Sequence, residues 1–300
     1  MSDLVCGVIV TYHPDEELAQ HIAVLRGQVG GLVVVDNRSS DSERVRLREL
    51  ALQYSFTLLE NPDNLGIGAA LNQGVRWAAA HGVFRYVALF DQDSEASFSF
   101  VDTMVSFYHQ HPLSEKVAVV APRIQNRNTG ASDGPRGTKK NQYLVAQTSG
   151  CLMPLHIFES QGWFKEELFI DYVDYEYCLR VVAAGWVIAY CEDAILSHVP
   201  GNSRSHTLFG IYLTTTLNYS PMRQYYSMRN GVWVMLHYWH RFPDWCVRLA
   251  FRVLKGRVRV AIFEQQRKAK LFLTVHAIQD AFKDNLGKRA FSNGVKILAK

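Results

Sequence analysis

From residue 4 to residue 122 short apolar runs alternate with longer stretches of mixed character. LVCGVIV (4 to 10), GLVVVD (31 to 36), FTLLE (56 to 60), YVALFD (86 to 91) and VAVVAP (117 to 122) are short, rich in β-branched residues and mostly uncharged. Strands buried on both faces have this composition. The segments near 15 to 27, 41 to 54, 67 to 81 and 97 to 110 read as helices, with Ser40 or Asp41 as the N-cap of the second. Such alternation predicts an α/β fold with a mostly parallel sheet and helices on both faces. Ligands bind to such sheets beyond the C-terminal ends of the strands.

The second half is less regular. Segment 123 to 142, RIQNRNTGASDGPRGTKKNQ, has no periodicity and reads as a long surface loop. YLVAQTSGCLMP follows, then a helix-like YVDYEYCLRVVAAG ending at Gly185 and a strand-like WVIAYC. From about residue 218 the chain reads as helical. In FPDWCVRLAFRVLKGRVRVAIF a helical projection gathers Arg241, Arg248, Arg252, Lys255 and Arg259 into one narrow stripe, with apolar residues over most of the remainder. The expected organisation is an α/β domain over 1–217, in two parts of about 1–122 and about 143–217 on either side of that loop. A basic helical region over 218–300 follows.

Charge separates the two regions. His237 to Lys300 holds 14 Lys and Arg against 4 Asp and Glu, leaving 18 against 24 for the rest of the chain. The tail is therefore a basic module on a mildly acidic domain. The five cysteines are scattered, with no CxxC spacing, which suggests neither a disulfide framework nor a structural zinc site. MSDLVCGVIV carries an acid where a signal peptide needs basic residues, and no apolar run reaches the length of a spanning helix. Together these features predict a cytoplasmic protein that does not cross a membrane.

Candidate chemistry follows the strands. Asp91-Gln92-Asp93 ends YVALF, and two carboxylates one residue apart can share a metal, or a metal and a sugar hydroxyl; hard oxygen ligands select Mg²⁺ or Mn²⁺. Acids at a strand end can equally cap the next helix. Asp171, Asp174 and Glu176 crowd a predicted helix start, where the macrodipole favours them. A reaction in which a hydroxyl attacks a sugar carbon needs a carboxylate base apart from the metal pair, and Asp174 is the choice, with Asp171 and Glu176 supporting it or binding acceptor. His198, in ILSHVPGNS, can complete a metal site or serve as a structural residue. Thr11 and Tyr12 end the first strand and Asp36 and Asn37 the second, where they can meet a pyrimidine or form ordinary turns. Asn64, Gly66 and Gly68 permit close backbone approach and then open a helix bearing Asn72.

In order and spacing, VIVTYHP, VVDNRSSD, NPDNLGIGAALNQGV, DQDS, TSGCLMP, FIDYVDYEYCLR and SHVPG resemble the family 2 glycosyltransferases, whose nucleotide-sugar-binding fold is called GT-A. The resemblance spans roughly residues 4 to 202, and RQYYSMRNG in the tail resembles the bacterial polysaccharide rhamnosyltransferase branch. It implies that Asp36 contacts the pyrimidine, that Thr11 and Tyr12 line the nucleoside pocket, and that Asn64 and Asn72 lie near the donor. It also implies that Asp93 holds the metal on the diphosphate, Asp91 contacts the donor ribose or sugar, His198 is a further metal ligand and Asp174 is the base. Many relatives carry two adjacent acids at the base position, whereas Val173 precedes Asp174 here.

The implied reaction is an inverting transfer of L-rhamnose from dTDP-β-L-rhamnose to a saccharide or lipid-linked saccharide, with no nucleic acid partner. A UDP-hexose or galactofuranose donor, a nucleotidyltransferase and a non-catalytic sugar-nucleotide-binding protein are the alternatives. For the basic tail two readings stand side by side: contact with an anionic membrane surface, or packing on the catalytic domain or a second subunit.

Overall fold

The computed structural model describes residues 2–127, 132–133, 143–198, 204–208, 211–216 and 218–289. The chain divides into two compact units, one of residues 1–166 and 173–199, the other of 167–172 and 200–300.

The first unit is an α/β body. In chain order it contains β1 (Val5–Thr11), α1 (Leu18–Arg26), β2 (Gly31–Asp36), α2 (Asp41–Tyr54), β3 (Thr57–Glu60), α3 (Ile67–Ala80), β4 (Tyr86–Asp91), β5 (Ser94–Ala96) and α4 (Phe100–Gln110). β6 (Val117–Asn126), β7 (Ser132–Asp133), β8 (Leu152–Pro154), α5 (Leu155–Gln161), α6 (Val173–Ala183) and β9 (Val187–His198) complete it. The sheet runs β3-β2-β1-β4-β8-β6-β9-β5, with β7 paired to β6. β3, β2, β1 and β4 are mutually parallel, β8 is antiparallel to both of its neighbours, and β6 is parallel to β9. The order reverses at β1, flanked by β2 and β4, and this brings the loops after β1, β2 and β4 to one place.

Burial explains the apolar runs. Every residue of β1 is buried, as are residues 32–36 of β2 and 86–90 of β4, and a fully buried Val, Leu or Ile contributes about 1.5–3 kcal/mol. Ser40 caps α2 in a capping box: its hydroxyl accepts from the Glu43 amide while the Glu43 carboxylate accepts from the Ser40 amide. Gly74 lets α3 lie close on β1, since a Cβ there would stand 2.3 Å from Val8 Cγ1.

One expectation is corrected. The loop expected over 123 to 142 begins later, because β6 continues to Asn126 and Ile124–Gln125 pair with β7. Its ladder with β9 supplies the hydrogen bonds that composition alone did not suggest. Residues 128–131 and 134–142 of that segment lie outside the described residues.

The second unit holds a hairpin, β10 (Arg204–Leu208) with β11 (Ile211–Thr216), and the helices α7 (Pro221–Tyr238), α8 (Pro243–Phe263) and α9 (Arg267–Phe282). Tyr225, Tyr226, Met228, Leu273 and Ala277 form its core. Among the described residues no helix is long and apolar enough to cross a membrane.

Candidate active site

The ends of β1 and β2 are joined by a buried carboxylate. Asp36 is inaccessible, and its oxygens accept from Thr11 Oγ1 at 3.0 Å, the Ser39 amide at 3.0 Å and Ser39 Oγ at 2.5 Å. Hydrogen bonds to a buried carboxylate contribute about 1.5–3 kcal/mol each, so Asp36 and Thr11 organise this corner from beneath. The surface above it is Tyr12, about half exposed. The Tyr12 amide donates to Gln92 Oε1 at 2.7 Å, which ties β1 to the turn after β4. His13 then turns away at φ 52° and meets the Glu43 carboxylate at 2.8 Å. The hydrogen bonds from Ser40 and His13 hold that carboxyl down to about 2.

Three asparagines fix the approach to α3. Asn37 Oδ1 accepts from Asn61 Nδ2 at 3.2 Å and from the Leu65 amide at 3.0 Å, and Asn37 Nδ2 donates to Asn64 Oδ1 at 3.1 Å. Asn64 Oδ1 also accepts the Gly66 amide at 3.0 Å. Gly66, at φ 90°, then makes the turn into α3. The close approach that glycine permits at position 68 is to the chain itself: a Cβ there would lie 3.2 Å from the Lys165 carbonyl oxygen. Asn72 is buried, and its amide clamps the same segment, donating to the Phe164 carbonyl and Glu166 Oε1 and accepting from the Phe164 amide. It presents no accessible surface.

At the end of β4, Asp91 is exposed and Asp93 half-buried. The Asp91 amide donates to Ser149 Oγ at 3.0 Å, and Ser149 bonds Ser94 at 2.8 Å, so the Asp-Gln-Asp turn is pinned to the segment before β8. In β5, Ser94 stands opposite His198 in β9, which puts the main chain of His198 beside the residue that follows Asp93. The His198 side chain and Gly201 lie outside the described part of the chain. Among the described residues no group of three metal-ligating side chains is gathered.

Asp174 is half-buried in the first turn of α6, and its Oδ1 accepts from the Tyr175 amide at 2.8 Å. Burial pushes the Cys151 thiol well above its ordinary range, and Cys178, Asp174 and Asp91 push it further in the same direction. Cys178, one turn on from Asp174, is likewise pushed up to about 12, chiefly by burial. Glu176 is buried and held bidentately by Arg180, Nε to Oε1 and Nη2 to Oε2 both at 3.0 Å. Arg180 in turn donates to the carbonyls of Gln161 and Trp163. In this arrangement Glu176 anchors α6 and has no surface to offer an acceptor.

Asp171 belongs to the second unit. Burial raises its carboxyl above the usual range, and Arg223, donating at 3.3 Å, opposes that shift. Phe169, Asp171 and Tyr172 all have positive φ, between 62° and 66°. The strain is held by RQYYSMRNG: Asn230 Nδ2 lies 2.7–3.0 Å from the carbonyls of Leu168, Ile170 and Asp171. Buried Arg229 donates to the carbonyls of Glu167, Leu168 and Gly287. Gly231 leaves room for Tyr172, whose ring a Cβ would meet at 3.0 Å. Ser149, Cys151, Arg229 and Asn230 were given no role from the sequence, although TSGCLMP and RQYYSMRNG marked their positions.

With this geometry in view, the family profile described as Glycosyl transferase family 2 matches residues 7–166. Over 247 residues the chain is 29% identical to the dTDP-rhamnosyl transferase RfbF of Shigella flexneri, covering 77% of this chain and 79% of that protein. Among solved structures it is similar to S. aureus TarS 1-349, with a TM-score of 0.60 and 12% identity over 92% of this chain and 80% of that one. GalNAc-T7 with UDP, GalNAc and Mn²⁺ gives a TM-score of 0.59 and 12% identity over 93% of this chain and 56% of that one.

Proposed function

The chain belongs to glycosyl transferase family 2 and is a glycosyltransferase with the GT-A fold, and from that premise we propose that it moves L-rhamnose from dTDP-β-L-rhamnose to a hydroxyl of a saccharide or lipid-linked saccharide, inverting the anomeric carbon. The rhamnosyl assignment draws on the likeness to the S. flexneri enzyme over most of both chains. What supports the mechanism is where its acids stand: Asp91 is exposed at the C-terminal end of β4, Asp93 follows two residues on, and Asp174 is half-buried in the first turn of α6.

Asp174 takes the proton of the acceptor hydroxyl as that oxygen bonds to C1, and the bond from C1 to the diphosphate oxygen breaks with its electron pair leaving on dTDP. Asp91 contacts the donor ribose or sugar, Gln92 holds the turn against Tyr12, and Tyr12 offers a face to the pyrimidine. Thr11, Asp36, Asn37, Asn64, Gly66 and Asn72 keep the donor-side loops in place. Two carboxylates at alternate positions suit a hard cation. Asp91, Asp93 and His198 would hold Mg²⁺ or Mn²⁺, which when bound neutralises charge on the departing diphosphate. Glu176 and Asp171 support the base indirectly, the first by pinning α6 through Arg180. The place of action is the cytoplasmic side of a membrane that carries the acceptor.

Incubation with sugar nucleotides tests the reading. Release of dTDP from dTDP-rhamnose, stimulated by Mn²⁺ or Mg²⁺, is expected, and Asp174→Asn should bind donor but lose transfer by at least about 10²-fold. Near-normal transfer by Asp174→Asn would refute the base, release of UDP from a UDP-sugar instead would refute the donor, and release of pyrophosphate would place the reaction in another class.

A further inference from the structure

The apolar residues of α8 occupy two faces, and only one is packed. Trp245, Cys246, Leu249 and Val260 are buried. Val247, Phe251, Leu254, Val258 and Ile262 are exposed, Phe251 by 69% and Leu254 by 62%. At about 100° per residue these five fall within an arc of about 80°, on roughly the opposite side of the helix from the buried set. They form a continuous line about 22 Å long at 1.5 Å per residue. Single exposed apolar side chains need no explanation, but five in register along one helix mark a surface that meets something.

The border of the stripe identifies the partner. Arg248, Arg252, Lys255 and Arg259 fall in the adjoining arc, between about 80° and 140° from Val247. Within α8 the only acid is Asp244, in the first turn. Two copies meeting through this face would bring cationic rows together with almost no acid to offset them, whereas an anionic lipid surface supplies the complementary charge beside a layer that accepts apolar side chains.

We propose that α8 lies flat on an anionic membrane, with Phe251, Leu254 and Ile262 seated among the acyl chains and the arginine row on the lipid headgroups. The proposal extends the glycosyl-transfer reading by naming the surface where an acceptor is met, and it rests on that reading only for the acceptor's being lipid-linked.

The test is co-sedimentation of the full chain with vesicles of phosphatidylglycerol and phosphatidylcholine, compared with phosphatidylcholine alone, in about 0.1 M salt. Wild type should partition at least 10-fold more strongly to the anionic vesicles. Arg248→Glu with Arg252→Glu and Arg259→Glu should abolish the preference, and Phe251→Ser with Leu254→Ser should weaken binding about 10-fold at unchanged charge. Thermal unfolding and nucleotide-sugar hydrolysis in the absence of vesicles should match wild type in both variants, and these readouts test the transferase reading independently. Absence of binding, binding indifferent to either variant, or a wild-type dimer that Phe251→Ser with Leu254→Ser turns into monomer would each overturn the proposal, the last in favour of a second copy.

Discussion

Replacing Asn230 by leucine should cost the second unit more than any surface substitution in the chain. The Asn230 amide has two hydrogens shared among the carbonyls of Leu168, Ile170 and Asp171, and its oxygen accepts from Arg229 Nε at 2.9 Å. Leucine has a similar size and supplies neither donor nor acceptor. The change forfeits about two N–H···O bonds, each with a net contribution near 1 kcal/mol, and leaves a buried guanidinium hydrogen unmatched for about 1–3 kcal/mol more. A loss of about 3–5 kcal/mol is expected, read as a lower urea midpoint at unchanged slope with tryptophan fluorescence as the probe, since Trp233 and Trp245 are buried in this unit. The thermal midpoint should fall by roughly 10 °C. A loss below about 1 kcal/mol would show that those carbonyls are satisfied without Asn230 and would refute the clamp.

Gly74→Ala should destabilise the first unit by about 1–3 kcal/mol through overpacking against Val8, and Val8→Ala in the same chain should restore part of it in urea titration. Cys6 and Cys178 are both pushed up to about 12, and all five cysteines are buried, so the native chain should react with a thiol reagent at pH 8 orders of magnitude more slowly than the urea-unfolded chain. Glu43 has a carboxyl at about 2 when folded and an ordinary one near 4.5 when unfolded, so its contribution is complete above about pH 4.5 and is lost as pH falls toward 2. The cost of Ser40→Ala, about 1 kcal/mol at neutral pH, should accordingly shrink over that window in acid titrations of stability.

β1, β2 and β4 were legible because they are buried on both faces, which leaves an uninterrupted apolar run in the sequence, whereas β3, at the edge of the sheet, is only half-buried. β5 and the β10–β11 hairpin were not, since SEA and RSHTL are short or polar and owe their conformation to a pairing partner rather than to their own composition. The same cause extends β6 into residues rich in Asn and Arg. In α8 the helical period was evident, but a projection shows only where apolar residues point. Which of two apolar faces is covered depends on α7 and α9, and their packing is a tertiary fact.

The site divides in a similar way. Asp91, Asp93 and Asp174 are the proposed chemical residues because reaction at a sugar carbon calls for carboxylates at strand and helix ends, and these three retain surface. Asp36, Asn72 and Glu176 bear equally suggestive side chains at equally suggestive positions, yet each is enclosed by partners from its own unit: Thr11 and Ser39, the Phe164 to Glu166 segment, and Arg180. A polar side chain sealed from water must spend its hydrogen-bonding capacity on the chain, and one that has done so is costly to redirect toward a ligand. Under the proposed mechanism accessibility, which no motif encodes, separates the residues assigned to donor and acceptor from those that hold the loops. Substitution should therefore distinguish the two sets by phenotype, with lost turnover at intact stability for Asp91, Asp93 and Asp174 and lost stability first for Asp36, Asn72 and Glu176.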